Sequence, residues 1–574
     1  MGRSDAYDTA GHAELRAALR PARPLFCAVA VFGLAANLLL LTGPLYMLQV
    51  YDRVLVSGSV ETLVALSLIA VFLFAVMGML DHARARILAR VGAQVQARLA
   101  RRTFGAALAR EGPGGEGLRD LDAIARFLAS AAPLALIDLP WTPLFLVLIV
   151  MLHPWLGALA LAGAALLILL AVLHRHVTRA PHAALLQATR RADARAAEVL
   201  EAAPLVRAMG MQDAACDRWL AALDEAGSAR RHGSDCSGGI AAVTRTTRLI
   251  LQSAMIGLGA LLVLRGALSP GVMIACSVLL GRALAPVEQA IAQWPLAQDA
   301  AAGWRGLSRL LSEAPEAPPP MALPRPTGHL SVTGLRADRP LGGQALLDGV
   351  SFALQPGQAL GIIGPSGSGK STLCRAISGA GTLSAGMVRL GGATRVQFGA
   401  ADWGRHVGYL PQRVALFSGT LAQNIARMQA DPDPGAVIAA ARAAGAHAMI
   451  LALPGGYDTP LTAEGAPLSG GQIQRIGLAR ALFGDPVLLI LDEANASLDA
   501  EGSAALNHAI RAHKARGGVA LITAQRPAAI RECDLLLRLD NGTATAFGPA
   551  EAVLRGHVVN HRQILQAAVR GQDA

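Results

Sequence analysis

Lysine is almost absent from this 574-residue chain: of 51 basic residues only Lys370 and Lys514 are lysines, and the rest are arginines. Cysteine is sparse as well. Cys27, Cys216, Cys236, Cys276, Cys374 and Cys533 stand far apart without C-x-x-C spacing, so neither a disulfide framework nor a zinc site is implied. A reducing compartment suits them. Acidic charge is short too, 40 residues against 51, which leaves a net charge of +11. Such an excess would suit a nucleic-acid partner, but the arginines sit beside apolar segments. They read as topology signals, and no nucleic-acid partner is expected.

What the chain has in abundance is apolar residues, 53% of the total, with a mean hydropathy of +0.42. Because charge is gathered into blocks between the apolar runs, the composition points to a membrane protein with soluble parts. Residues 1–23 form a short polar segment. Six spans are predicted at about 25–43, 63–80, 134–152, 155–173, 249–264 and 272–291. The first is longer than a signal-peptide core and is followed by further spans, so it reads as uncleaved. Two arginine-rich stretches, Asp81 to about Ala132 and Arg175 to Arg248, are amphipathic and read as helices projecting into the cytosol. Placing both inside puts the N- and C-termini in the cytoplasm and the short links, including His153-Pro154 and Leu268 to Gly271, outside. Arg282 and Glu288 fall near Pro286 in the sixth span, where they either face a polar cavity or partner, or mark an early end of the span. Asp138 likewise either faces a polar partner or is only an interfacial anchor. A proline-rich linker, 312–327, divides the transmembrane domain (24–311) from a soluble domain at 328–574.

That soluble domain carries the chemistry. The apolar run Ala359 to Ile363 leads into Gly364-Pro365-Ser366-Gly367-Ser368-Gly369-Lys370-Ser371-Thr372, the P-loop pattern G-x-x-x-x-G-K-[ST] in its strand-to-helix context. Glycines let successive N–H groups aim at phosphate oxygens, and the helix that follows adds the positive end of its dipole. Lys370 would reach the β/γ-phosphates of ATP and Ser371 would ligate Mg²⁺. In a chain that uses arginine nearly everywhere, a lysine here indicates a site that needs a compact ammonium. A second apolar run, Val487 to Leu491, ends in Asp492-Glu493. Asp492 is assigned to the metal and Glu493 to the attacking water, which predicts an α/β P-loop ATPase domain.

Leu468-Ser469-Gly470-Gly471-Gln472, followed by Gln474-Arg475-Ile476 and Leu478-Ala479-Arg480-Ala481, resembles the signature sequence of ABC ATPases. The resemblance implies that Ser469, Gly470, Gly471 and Gln472 complete the ATP site of an opposite subunit. With one P-loop and six spans the chain looks like half a transporter, and a homodimer is the simplest completion. It further implies that Gln412 contacts Mg²⁺ and senses the membrane domain, that Ser497-Leu498-Asp499 joins the two sites, and that Glu464 lies in a coupling segment. Two departures stand out. Thr523-Ala524-Gln525-Arg526-Pro527 puts Gln525 where the family has its switch histidine, and Arg336 to Leu341 holds no aromatic to stack on adenine.

In the membrane half, Leu45-Tyr46-Met47-Leu48-Gln49-Val50-Tyr51-Asp52-Arg53, Asp138-Leu139-Pro140-Trp141-Thr142-Pro143 and Arg282 to Glu288 resemble the permease/ATPase subunits of bacterial type I secretion systems. The fold so implied is the ABC exporter type, six transmembrane helices with long cytosolic extensions. The implied function is ATP-driven export of an unfolded protein with a C-terminal signal across the bacterial inner membrane. Implied partners are a periplasmic adaptor (membrane fusion protein), an outer-membrane channel, the secreted substrate and membrane lipid. Two other readings stay open: an exporter of lipids or hydrophobic small molecules, and an ATP-gated channel or regulatory subunit with little hydrolysis, prompted by Gln525.

Overall fold

A computed structural model describes residues 4–110, 115–316, 323–339, 345–461, 468–495, 498, 500–523 and 530–557. The chain divides into two compact units, Met1–Glu316 and Ala317–Ala574.

The first unit is helical among its described residues. It begins with α1 (Ser4–Leu19), α2 (Arg23–Leu39) and α3 (Thr42–Gln49), then a π-helical turn at Val50–Val54 and the short α4 (Leu55–Ser57). The stretch between the first two apolar runs is therefore helical as far as Ser57, and only Gly58 and Ser59 break it. Ser59 caps α5 (Val60–Ala109) by accepting the Thr62 N–H. Next come α6 (Glu116–Ala129), α7 (Ala132–Asp138), α8 (Thr142–Leu152), α9 (Pro154–Glu201), α10 (Ala203–Ala208), α11 (Gln212–Leu264), α12 (Pro270–Ala292) and α13 (Trp294–Glu313). Proline at the first turn starts α9 and α12, where its missing N–H is harmless. Among the described residues, six helical stretches are long and apolar enough to cross a membrane. Three of them, α5, α9 and α11, have 50, 48 and 53 residues, so each is about 70 to 80 Å long at the rise of an α-helix. A hydrocarbon core is only about 30 Å thick, so most of each helix lies beyond it. The last helix runs to Glu313, two residues into the stretch read as linker.

Polar side chains lock these helices together. Arg84 of α5 is buried, and its guanidinium donates to Asp138 at the end of α7 and to Asp81. Asn37 of α2 donates to the same Asp138 carboxylate at 2.9 Å. Asp138 is thus the acceptor of a three-helix cluster, the partnered one of its two readings. Glu288 of α12 pairs with Arg248 of α11 at 3.1 Å, which gives it a partner within the chain. Asp52 accepts the Ser269 hydroxyl at 2.6 Å and the Gly271 N–H at 2.9 Å, fixing the start of α12. On α1, Gly11 lies so close to the Ser308 carbonyl of α13 that a Cβ would collide with it.

In the second unit a four-stranded antiparallel sheet, ordered β2-β1-β4-β5, contains β1 (Leu330–Ala337), β2 (Leu347–Leu354), β4 (Ala385–Leu390) and β5 (Ala393–Thr394). The main sheet is ordered β12-β11-β3-β10-β9-β6, from β3 (Ala359–Ile363), β6 (Val407–Leu410), β9 (Leu488–Asp492), β10 (Val519–Thr523), β11 (Leu535–Asp540) and β12 (Thr543–Pro549). All its strands run parallel except β12. Strands β9 and β10 are buried at every residue, as unbroken apolar runs between covering layers should be. The remaining elements are α14 (Lys370–Ser378), α15 (Arg395–His406), the short β7 (Gly419–Thr420) paired with β8 (Pro460–Leu461), α16 (Leu421–Ile425), α17 (Pro434–Ala443), α18 (His447–Leu451), α19 (Gly470–Leu482), α20 (Ala500–Ala515) and α21 (Ala550–His557).

Candidate nucleotide site

Register in the main sheet decides which residues meet. Thr523 at the end of β10 is level with Ile362 of β3 on one side and with Asp492 of β9 on the other, and Leu410 of β6 is level with Leu491. The carboxyl ends of β3, β10, β9 and β6 therefore deliver the P-loop, Thr523, Asp492-Glu493 and Gln412 to one edge. That edge is where parallel α/β sheets bind ligands.

Gly364 to Gly369 forms the turn from β3 into α14. A Cβ on Gly364 would sit 2.2 Å from the Leu539 carbonyl, and Gly369 has φ +100° with the Leu346 carbonyl 2.8 Å from where its Cβ would be. Only glycine fits either place. Pro365, Ser366 and Gly367 are exposed along the rim, while Ser368 is buried with no hydrogen-bond partner for its hydroxyl among the described residues. The Lys370 ammonium folds back over the loop, donating to the Gly364 and Pro365 carbonyls at 2.9 and 2.8 Å. Thr372, in the first turn of α14, is half-buried.

Asp492 is 2% exposed, and among the described residues no basic side chain pairs with it. Two hydroxyls serve it instead: Ser371 donates to Oδ1 at 3.0 Å and Thr523 donates to the same oxygen at 2.8 Å. Burial pushes the nearby Cys374 thiol well above its ordinary value and the Tyr409 phenol up as well, with the Asp492 charge acting in the same direction on both. Both groups stay neutral at physiological pH. A buried carboxylate with no basic partner among the described residues, beside a serine hydroxyl, is a hard-oxygen donor set of the kind Mg²⁺ takes. The orphaned Ser368 hydroxyl and the glycine cradle fit an oxygen-rich phosphate chain in the same way.

Glu493 adopts a left-handed backbone, φ +52°, which costs a non-glycine residue about 1 to 2 kcal/mol. Its N–H donates to the Thr523 hydroxyl at 2.8 Å, and its carboxylate accepts from Gln412 Nε2 at 2.7 Å. Gln412 itself is exposed. Ser371, Gln412, Asp492 and Glu493 therefore form one hydrogen-bonded cluster, with Thr523 joining its two acids.

The signature stretch opens α19. The Ser469 hydroxyl accepts the Gln472 N–H while the Gln472 side chain accepts the Ser469 N–H, a reciprocal capping box that leaves Ser469 and Gly470 exposed at the helix start. Gly471 and Gln472 are half-buried. The far end of α19 is tied down by residues whose role was hidden in the sequence. The Arg480 guanidinium donates to the Asn424 carbonyl and side chain and to the Ala415 carbonyl, and Arg427 donates to the Arg480 and Ala481 carbonyls. Asn424 is fully buried. Arg336, at the start of the stretch without an adenine-stacking aromatic, pairs with Asp338 and Asp348. Glu464, Ser497, Asp499 and Gln525 lie outside the described residues.

Two family patterns match the chain, the ABC transporter pattern at residues 347–496 and the ABC transporter transmembrane region at 118–287. A type I secretion system ATP-binding protein, PrsD of Rhizobium meliloti, is 42% identical over 574 residues, covering 98% of each chain. The cyclolysin secretion/processing ATP-binding protein CyaB of Bordetella pertussis is 30% identical over 96% of this chain and 78% of its own length. An Atm1-family bacterial ABC exporter solved with ATP bound shares the fold, with a TM-score of 0.81 at 21% identity over 95% of this chain and 99% of that one. The chain belongs to the ABC transporter family, as a half-transporter of the type I secretion permease/ATPase group with an ATP-binding ATPase domain.

Proposed function

We propose that this protein exports a polypeptide across the bacterial inner membrane, driven by ATP hydrolysis, as the permease/ATPase of a type I secretion system. The cargo class is an unfolded protein with a C-terminal secretion signal. A homodimer embedded in membrane lipid, with both termini cytoplasmic, works with a periplasmic adaptor and an outer-membrane channel. The observation that carries the reading is Asp492, a buried carboxylate reached by the P-loop serine at 3.0 Å, in a chain alike along its full length to a type I secretion ATP-binding protein.

Lys370 holds the β/γ-phosphates, moving its ammonium from the loop carbonyls to the nucleotide. Ser371, Gln412 and Asp492 would hold Mg²⁺, which when bound offsets charge on the phosphates. Glu493 takes the proton of the attacking water, oriented by Gln412 and by its own pinned backbone. Ser469, Gly470, Gly471 and Gln472 present N–H groups to the nucleotide of the opposite subunit. Gln525 takes the switch position as a hydrogen-bond donor that cannot act as an acid.

Steady-state ATPase activity of the reconstituted protein tests this, with and without the C-terminal fragment of a secreted protein from the same source. Turnover altered by the fragment supports polypeptide export. Turnover altered only by small amphiphiles favours lipid or small-molecule export, and nucleotide binding without turnover favours the gated channel.

A further inference from the structure

Thr523 terminates the strand that lies between the P-loop strand and the Asp492 strand. Nothing in its local sequence marks it, because a threonine ending the run Val519 to Ile522 is ordinary strand chemistry. Its placement is unusual in three respects. It is 1% exposed, so its hydroxyl must find partners inside the domain. It finds two, and they are the two consecutive acids of the site: the hydroxyl donates to Asp492 Oδ1 at 2.8 Å and accepts the Glu493 N–H at 2.8 Å. The backbone it holds is Glu493, at φ +52°, a conformation that relaxes unless the surroundings enforce it.

One hydroxyl therefore fixes two quantities. By donating to Oδ1, which also accepts from Ser371, Thr523 directs one carboxylate oxygen of Asp492 toward the P-loop serine. By accepting the next N–H, it sets the angle at which the Glu493 side chain leaves the strand and meets Gln412. The donor and acceptor capacities of a hydroxyl are both used, which neither valine nor alanine can reproduce and serine can.

We infer that Thr523 is a positioning residue for ATP hydrolysis, holding Asp492 in its metal-facing orientation and Glu493 in its strained, water-facing one. This rests on the assignment of Asp492 to the metal and Glu493 to the water. Since Thr523 acts through both acids, its loss should lower kcat and raise the Mg²⁺ concentration needed for half-maximal turnover together, while ATP binding in the absence of divalent metal stays as it was.

The test compares Thr523→Val, Thr523→Ser and Glu493→Gln in the full-length reconstituted protein. Turnover is measured across ATP and Mg²⁺ concentrations, and metal-free binding with a fluorescent ATP analogue. Valine keeps the shape and removes the hydroxyl, so kcat should fall about tenfold and half-saturation should need more Mg²⁺, as expected when a hydrogen bond to a charged group is lost. Thr523→Ser should return both values to near those of the parent, an outcome that a simple packing role for the threonine would not give. A Thr523→Val protein with parental kcat and Mg²⁺ response overturns the inference. If valine lowers the melting temperature, Thr523→Ala and Thr523→Ser decide between them: serine near parental beside an impaired alanine supports it, and equal activity of the two overturns it. Retained turnover in Glu493→Gln would instead overturn the underlying assignment of the acids.

Discussion

Lys370 and Glu493 belong to the same candidate site and should fail in different ways. The Lys370 ammonium already makes two hydrogen bonds to loop carbonyls, which it can exchange for phosphate oxygens. Lys370→Ala removes a charge-assisted contact of about 1.5 to 3 kcal/mol, so a fluorescent nucleotide should bind about tenfold more weakly or worse. Glu493→Gln keeps that affinity and should lower turnover by about 100-fold or more, the share of a general base. Unchanged affinity in the first or parental turnover in the second would refute the division of roles between them. The residues named for these roles were legible because each belongs to a contiguous motif: the P-loop, an apolar run ending in two acids, a helix opening in Ser-Gly-Gly-Gln. Thr523, Asn424 and Arg427 were not, since their meaning comes from partners on other strands and helices. Thr523 acquires its role only when register brings β10 beside β9.

At the scale of the element, two carboxylates in the helical unit invite measurement, the half-buried Asp138 and the buried Asp120. Asp138 neutralises Arg84, whose side chain is 3% exposed, and also accepts from Asn37. Asp138→Ala would leave a buried guanidinium with Asp81 alone and should destabilise by about 3 kcal/mol or more, read as a lowered melting temperature in detergent. Replacing both partners, Arg84→Met with Asp138→Leu, should recover much of the loss, and no recovery would contradict the pairing. Asp120 of α6 borders a cavity of about 550 Å³ between α5, α6, α9 and α13. Burial raises its pKa from 3.8 to about 6, opposed by Arg190 of α9 and assisted by Glu116, with Arg110, Arg305 and Arg309 also on the cavity wall. The folded protein then keeps a proton that the unfolded chain has already released, so the contribution of Asp120 to stability is greatest below about pH 4 and declines up to about pH 6. Relative to Asp120→Asn, the parent protein should lose melting temperature across that window and run parallel above it. A constant offset throughout would contradict this. Hydropathy alone gave away the apolar helices, but not these pairs, because burial of a charge depends on which helix packs against it.

For the whole molecule, the proposed homodimer makes a sharper demand than activity alone. Lys370→Ala spoils the P-loop of its own chain, and Ser469→Arg spoils the signature offered to the other chain. Each variant alone should be inactive, whereas a mixed population should regain part of its ATPase activity, because every hybrid dimer then holds one site with both halves intact. Absence of recovery after verified mixing would argue against a site shared between copies. The excess of arginine belongs to this scale as well, being gathered on helices that continue past the apolar core. Those helices have a mechanical consequence. A rod of 53 residues such as α11 is about 80 Å long, so a tilt of roughly 5° about one end sweeps the other through about 7 Å, more than a helical turn. Leverage of this kind lets a small rearrangement at one extremity become a displacement as wide as an extended polypeptide at the other.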